Sequence, residues 1–288
     1  MTAGTTRPTA AKHASARASV LTHLALVAMG VVSLYPYVMM LVNSFKSDHE
    51  ILSNPAGLPQ NFTFSSYASL ATYHGGVWIN FVNGLLIAGL STLAAVLITA
   101  MAGYAFSKHR FFGREVIFSL LMLTLMVPPQ ITIPPLYLLF AKVGWLDTLQ
   151  AQILPTIPSV FGLFMVRQYM QSVPDELIEA ARIDGAGPWR IFFMVIVPIS
   201  APILGAFAIL HFLGVWNAYL WPLIVATNPA VQPIMVTLPN MTDPNIGFLP
   251  IWGTIMAGCT LATIPILIVF LIFQDRFMAS ATIGAVKN

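Results

Sequence analysis

Six runs of this chain, 20–43, 80–106, 116–140, 149–166, 199–226 and 253–273, contain no Asp, Glu, Lys or Arg. A helix rises about 1.5 Å per residue, so about 20 apolar residues cross the roughly 30 Å hydrocarbon core of a bilayer. Each run is near or above that length. Only 8% of the residues are charged and 57% are hydrophobic, against roughly 25% charged in a soluble domain. Such a chain cannot cover its apolar surface with polar groups. The pattern predicts an all-α integral membrane protein with six transmembrane helices.

The basic residues set the expected orientation. With the N-terminus in the cytoplasm, Arg7, Lys12, Arg17, Lys108, Arg110, Arg114, Arg167, Arg182, Arg190, Arg276 and Lys287 fall on that side, and only Lys46 and Lys142 fall outside. An even number of spans returns the C-terminus to the cytoplasm. The sequence pI of about 9.1 then follows from topology and calls for no nucleic-acid partner. The first run is too long for a signal h-region and meets no small-x-small cleavage site, so it reads as a retained helix. Residues 1–18 read as a disordered cytoplasmic tail, 19–277 as the membrane domain and 278–288 as a cytoplasmic C-terminal tail. The external loops 44–79 and 227–252 are too short for a soluble domain. Cys259, the single cysteine, rules out an intrachain disulfide.

The apolar runs also narrow function. Ion-coupled transporters place ionisable groups in the bilayer; here only His23 and His211 lie inside the runs, with His211 deep in the fifth, where packing or hydrogen bonding is its ordinary role. The chain has no GxxxxGK[ST] run to cradle a nucleotide, no HExxH, and no His, Cys or carboxylate cluster spaced for a metal. No catalytic or metal-ligating residue is expected. A partner must supply the energy for any work the chain does, which leaves transport or scaffolding.

One stretch departs from this greasy background. Asp175, Glu176, Glu179, Arg182, Asp184 and Arg190 fall within "DELIEAARIDGAGPWR", between the fourth and fifth runs. Pro174 suits a first helical turn, with Ser172 or Val173 as N-cap, and the early carboxylates complement the helix dipole. At about 100° per residue, Asp175, Glu176, Glu179 and Arg182 share one arc, and Leu177, Ile178, Ala180 and Ala181 the other. Ile183 is apolar on the charged arc. Gly185 and Gly187 end the helix, and Pro188 starts another. Two readings fit this pattern: an interfacial amphipathic hairpin with a solvated face, or a device that meets a partner.

The order Glu179-Ala180-Ala181, Asp184-Gly185-Ala186 and Ile196-Val197-Pro198 resembles the EAA loop of ABC importer permeases. The chain is further similar to the carbohydrate-uptake permeases, specifically the maltose-type second permease subunit, in Asn80–Leu85, in "MVPPQITIPPLYLLF" (126–140), in "FLGVWNAYLWPLIVAT" (212–227), from Trp252 to Gln274, and in Gly284–Lys287. The resemblance covers nearly the whole chain. It implies the ABC type I importer permease fold, with the EAA coupling loop at 172–190 and Glu179, Ala180, Ala181, Arg182, Ile183, Asp184 and Gly185 in ATPase coupling. It also implies a second homologous permease subunit, two ATP-binding subunits that carry ATP and Mg, and an extracytoplasmic sugar-binding protein. This chain would bind no cofactor, and its place would be the bacterial cytoplasmic membrane. The implied function is import of a sugar, with di- or oligosaccharides favoured, by alternating access. Alternatives are a permease for another small solute, an ion-coupled secondary transporter, or a membrane scaffold.

Within the spans, Pro128-Pro129 and Pro134-Pro135 disturb the third helix, and irregular backbone in a bilayer faces protein or a water-filled cavity. Gln130 and Thr132 therefore read either as cavity-facing groups or as neighbours of a purely structural kink. Asn217, flanked by Trp216, Tyr219 and Trp221, combines an amide with aromatic faces that suit a sugar, while the same aromatics suit an interfacial belt. Asn83 carries the same two readings.

Overall fold

The computed structural model describes residues 10–243 and 249–285. Helix α1 (Ala10–Asn43) is followed by two short helices, α2 (Asp48–Ser53) and α3 (Ser65–Thr72), and by the long α4 (Trp78–Lys108). Then come α5 (Arg114–Thr124), α6 (Pro129–Lys142), α7 (Leu149–Ile153), α8 (Val160–Gln171), α9 (Glu176–Ile183) and α10 (Pro188–Ile191). A π-helical turn, Phe192–Ile196, leads to α11 (Val197–Ile199), and α12 (Ala201–Trp216), α13 (Leu220–Val225) and α14 (Ile234–Thr237) follow. Strands β1 (Thr242–Asp243) and β2 (Leu249–Pro250) pair antiparallel, and α15 (Trp252–Ala285) comes last.

Three helical stretches are long and apolar enough to cross a membrane alone: Leu21–Asn43, α4 and Trp252–Ile272. Three further candidates are helix pairs bent at a short break, by 97° between α5 and α6, by 41° ahead of α8 and by 76° between α11 and α12. Counting each pair as one span gives six. The bends have identifiable causes, because proline removes an amide donor and crowds the preceding turn. Pro128 and Pro129 stand at the first break, Pro155 and Pro158 at the second, and Pro198 and Pro202 flank Ser200 at the third.

The fifth apolar run, expected as one helix over 199–226, is divided. It breaks at Ser200, and α12 stops at Trp216, where Asn217 turns its amide back onto the Leu213 carbonyl at 2.8 Å. At the N-terminus, α1 already begins at Ala10, inside the stretch expected to be disordered. That stretch is alanine-rich, and alanine has the best intrinsic helix propensity; residues 1–9 lie outside the described residues. So do 286–288 of the expected C-terminal tail, into which α15 extends as far as Ala285.

The chain divides into two compact units. The first holds residues up to Ser69 together with Ile251–Thr260. Its loop is built on Lys46, fully buried, whose ammonium donates to the carbonyls of Asn54 (2.8 Å) and Gly57 (2.6 Å). Phe45, Phe62, Phe64 and Tyr67 stack around the same turn. Asp48 Oδ1 accepts the Gly253 N–H at 2.6 Å.

The second unit, Leu70–Pro250 with the chain from Leu261, is organised around α4, which packs mainly on α8 and α12. The buried side of α4 runs through Gly84, Ala88, Ser91, Ala95, Ala100 and Gly103. In hydrocarbon there is no hydrophobic drive between helices, so small residues that admit close approach decide which faces meet. A Cβ on Gly103 would lie 2.6 Å from Val166 Cγ1, and one on Gly162 of α8 would lie 2.3 Å from the Phe207 ring of α12. A Cβ on Gly89, elsewhere on α4, would meet nothing within 4 Å. Gly162→Ala is therefore expected to destabilise the helix packing by about 1–3 kcal/mol, the usual range for overpacking. Gly89→Ala should be neutral or stabilising. Thermal unfolding of the purified protein in detergent checks both, and equal melting temperatures for the two variants would contradict this packing.

Candidate functional site

The charged stretch forms a hairpin of two short helices seated on the second unit. Its first helix starts later than expected: Asp175 is the N-cap of α9, and its side chain makes no capping bond. The carboxylate instead accepts from Lys108 Nζ, at the end of α4, at 2.6 Å, and the same ammonium donates to the Val173 carbonyl. That hydrogen bond, and then the positive charge of Lys108, hold the Asp175 carboxyl below its usual range. Sequence reading missed this contact because its partner lies 67 residues away; the position of Lys108 at a span end was its one visible signal.

The C-terminus of α9 closes in a Schellman motif. Ala186 N–H donates to the Ala181 carbonyl at 2.9 Å and Gly185 N–H to the Arg182 carbonyl at 3.0 Å. The motif puts the residue after the C-cap, Asp184, in the left-handed region, where glycine has no Cβ penalty. Gly185 is there, with φ +78°. The turn expected from Gly185 is thus observed with its cause.

The alanine pair does not form one docking face. Ile178 is buried and Ala181 and Ala186 pack inward against a cluster that includes Tyr104 of α4, Met170 of α8 and Ile196. Ala180 points the other way and is exposed, with Glu176, Glu179 and Ile183. Helical geometry allows this division, since residues 180 and 181 are about 100° apart, and the buried neighbours set it. The inward residues fix α9 to the bundle, and the outward arc is Glu176, Glu179, Ala180 and Ile183. Ile183 is 87% exposed and Trp189, on α10, 64%. Burying one Ile side chain contributes about 1.5–3 kcal/mol, whereas the Lys108–Asp175 pair, in which Lys108 is buried and Asp175 exposed, is partly screened by water. The apolar seat therefore holds the hairpin, and the ion pair sets its register.

A cavity of about 560 Å³ opens between α4, α6, α7, α12 and α13. It brings together Gln130, Thr132, Trp216 and Tyr219 from the expected substrate path. Gln130 and Thr132 are exposed at the start of α6, and Tyr219 is 38% exposed. The other two path residues do not line it. Asn83 is buried, and its amide donates to the carbonyls of Ala230 (2.8 Å) and Gln232 (3.3 Å), as Asn80 does to Pro229 and Gln232. Asn217 bonds its own helix. Trp216 is buried in the wall, its ring packed on Phe81 and Phe212 and its Nε1–H donating to Ala262 O at 3.2 Å. Trp221, which donates to Ala151 O at 2.9 Å, also lines it, and so does Gln152, which was not anticipated and donates to Val231 O at 3.0 Å.

Residues 95–281 match the family described as "Binding-protein-dependent transport system inner membrane component". The arabinooligosaccharides transport system permease protein AraQ of Halalkalibacterium halodurans is 33% identical over 260 residues, covering 89% of this chain and 92% of that protein. The diacetylchitobiose uptake system permease protein NgcG of Streptomyces coelicolor is 30% identical over 280 residues, covering 96% and 92%. Among solved structures, a chain of a bacterial ABC transporter involved in the import of the acidic polysaccharide alginate superposes with a TM-score of 0.80 at 21% identity, covering 95% of this chain and 99% of that one. That last likeness establishes the fold.

The Lys108–Asp175 contact carries a pH signature. A carboxyl held below its ordinary value stabilises the folded arrangement above about pH 4, the unfolded value. The contribution disappears as pH falls through the lower folded value. Hydrogen exchange across residues 176–183, corrected for intrinsic rates, should accelerate below about pH 4 in the wild type. In Asp175→Asn it should already be modestly faster than wild type at pH 6 and show no further step. Identical profiles for the two would contradict the contact.

Proposed function

Because the chain belongs to the family of binding-protein-dependent transport system inner membrane components, we propose that it is the permease subunit of an ABC importer for a sugar, with oligosaccharides favoured. Its place is the bacterial cytoplasmic membrane, with both termini and the hairpin 172–190 facing the cytoplasm. A second homologous permease completes the path, an extracytoplasmic binding protein delivers the sugar, and two ATP-binding subunits hold ATP and Mg. This chain has no catalytic site of its own. Arabinooligosaccharide and diacetylchitobiose permeases among its relatives support the sugar assignment.

The observation that carries the reading is the two-sided α9. A helix that transmits force needs a fixed face and a free face. Ile178 and Ala181 fix it to α4, α8 and the π-helical turn, while Glu179, Ala180 and Ile183 stay available to a partner. Small Ala180 admits close approach, Ile183 supplies an apolar contact, and Glu179 and Arg182 supply polar contacts at the rim. When the ATP-binding subunits close, α9 moves with them and carries the helices it is seated on. The cavity between α6, α12 and α13 then changes access.

Glu179→Lys reverses charge on the free face, and Ile183→Glu removes its apolar contact. Gly185→Asp forces a side chain into left-handed backbone. Each is expected to lower uptake of labelled oligosaccharides by about tenfold or more, a loss of about 1.4 kcal/mol in coupling. Membrane abundance should be retained and co-purification of the ATP-binding subunits reduced. Wild-type uptake by all three variants would rule out this role for the hairpin.

A further inference from the structure

We infer that the 560 Å³ cavity is a binding subsite for an uncharged saccharide, and that its wall discriminates against solutes bearing carboxylate or phosphate groups. The inference rests on the sugar-import reading and narrows it to one chemical class and one place in this chain.

The wall contains no Asp, Glu, Lys, Arg or His. Its polar groups are neutral amides and hydroxyls. The side chains of Gln130 and Tyr219 have no hydrogen-bond partner among the described residues, which leaves one amide and one phenol hydroxyl available. Thr132 and Thr156 donate their hydroxyl protons to the carbonyls of Pro129 and Ile153, both at 2.7 Å, so their oxygens can still accept. Gln152 is 1% exposed and its Oε1 has no donor. Donors and acceptors are thus mixed, beside the rings of Trp216 and Trp221.

A sugar hydroxyl both donates and accepts, so a mixed neutral wall can satisfy it. An anion is acceptor-only and needs a cation or several convergent N–H groups when removed from water. Two helix N-termini that would favour an anion border the cavity, those of the six-residue α13 and of α6. The first residue of α6 is Pro129, which has no N–H, and the Ile131 N–H is already bonded to Pro128 O at 3.1 Å. That end is therefore weakened as an anion site. The volume lies within the range of small-molecule sites.

The test uses the complete importer in lipid nanodiscs, without its binding protein, so that the binding protein's own selectivity does not enter. Tryptophan fluorescence is titrated with three neutral probes, arabinotriose, diacetylchitobiose and maltotriose, and with the acidic trigalacturonate. At least one neutral probe should bind and trigalacturonate should not. Gln130→Leu and Tyr219→Phe should each weaken neutral binding by about threefold to tenfold, the effect of one lost neutral hydrogen bond. Thr132→Lys should admit trigalacturonate. Binding by no neutral probe, binding of trigalacturonate by the wild type, or unchanged affinity in both weakening variants overturns the inference. Uptake of the same probes by intact cells separates the two readings. Neutral sugar uptake with unaltered variants sinks this subsite alone, whereas uptake of no sugar at all sinks the import reading itself.

Discussion

Every break in a helix within a bilayer releases backbone carbonyls that no water can reach, and the fold depends on side chains that find them. Pro155 deprives the Ala151 carbonyl of its helical donor, and the Trp221 indole supplies one from α13. Trp216 reaches the Ala262 carbonyl, one residue from the position that Pro265 leaves without a helical donor. His211 bonds the Thr156 carbonyl at 2.8 Å beside the α7–α8 break and pairs with Thr92 of α4 at 3.2 Å. The Tyr169 hydroxyl donates to Ile199 O where α11 gives way to α12. The breaks ahead of α8 and ahead of α12 each have side-chain donors assigned to them.

That constraint decides which polar residues remain for function. Asn80 and Asn83 look like ligand-binding amides in sequence, yet both hold the segment 229–232 by its carbonyls. Gln130 and Tyr219 are left over, and they meet at one cavity. The same division appears in the hairpin, where Ile178 and Ala181 belong to the bundle and Glu179, Ala180 and Ile183 do not. In both places the surface proposed to act is what remains after the structural demands are met.

Much of this was legible in the chain itself. Charge-free runs located five of the six candidate spans within about five residues, while the fifth, expected over 199–226, lies over Pro188–Trp216; the spacing of Glu179, Gly185 and Pro188 located a helix, its left-handed exit and the next start. Three things were hidden for physical reasons. The Ser200 and Asn217 breaks leave no mark on hydropathy, because a bent apolar helix and a straight one have the same composition. The Lys108–Asp175 contact and the Arg167–Glu115 pair, at 2.8 Å, join distant segments that only packing brings together. The opposite orientation of Ala180 and Ala181 was implicit in helical periodicity but needed the buried neighbours to say which of them faced inward.

The central claim is that the outward face of α9 meets an ATP-binding subunit in the cytoplasm. With Cys259 replaced by Ser, a cysteine at Ile183 makes that face directly measurable by a membrane-impermeant thiol reagent. The account predicts no labelling of intact cells, rapid labelling of inside-out vesicles stripped of the ATP-binding subunits, and protection when those subunits are restored. Labelling of intact cells, or labelling of vesicles that the restored subunits leave unchanged, would contradict it.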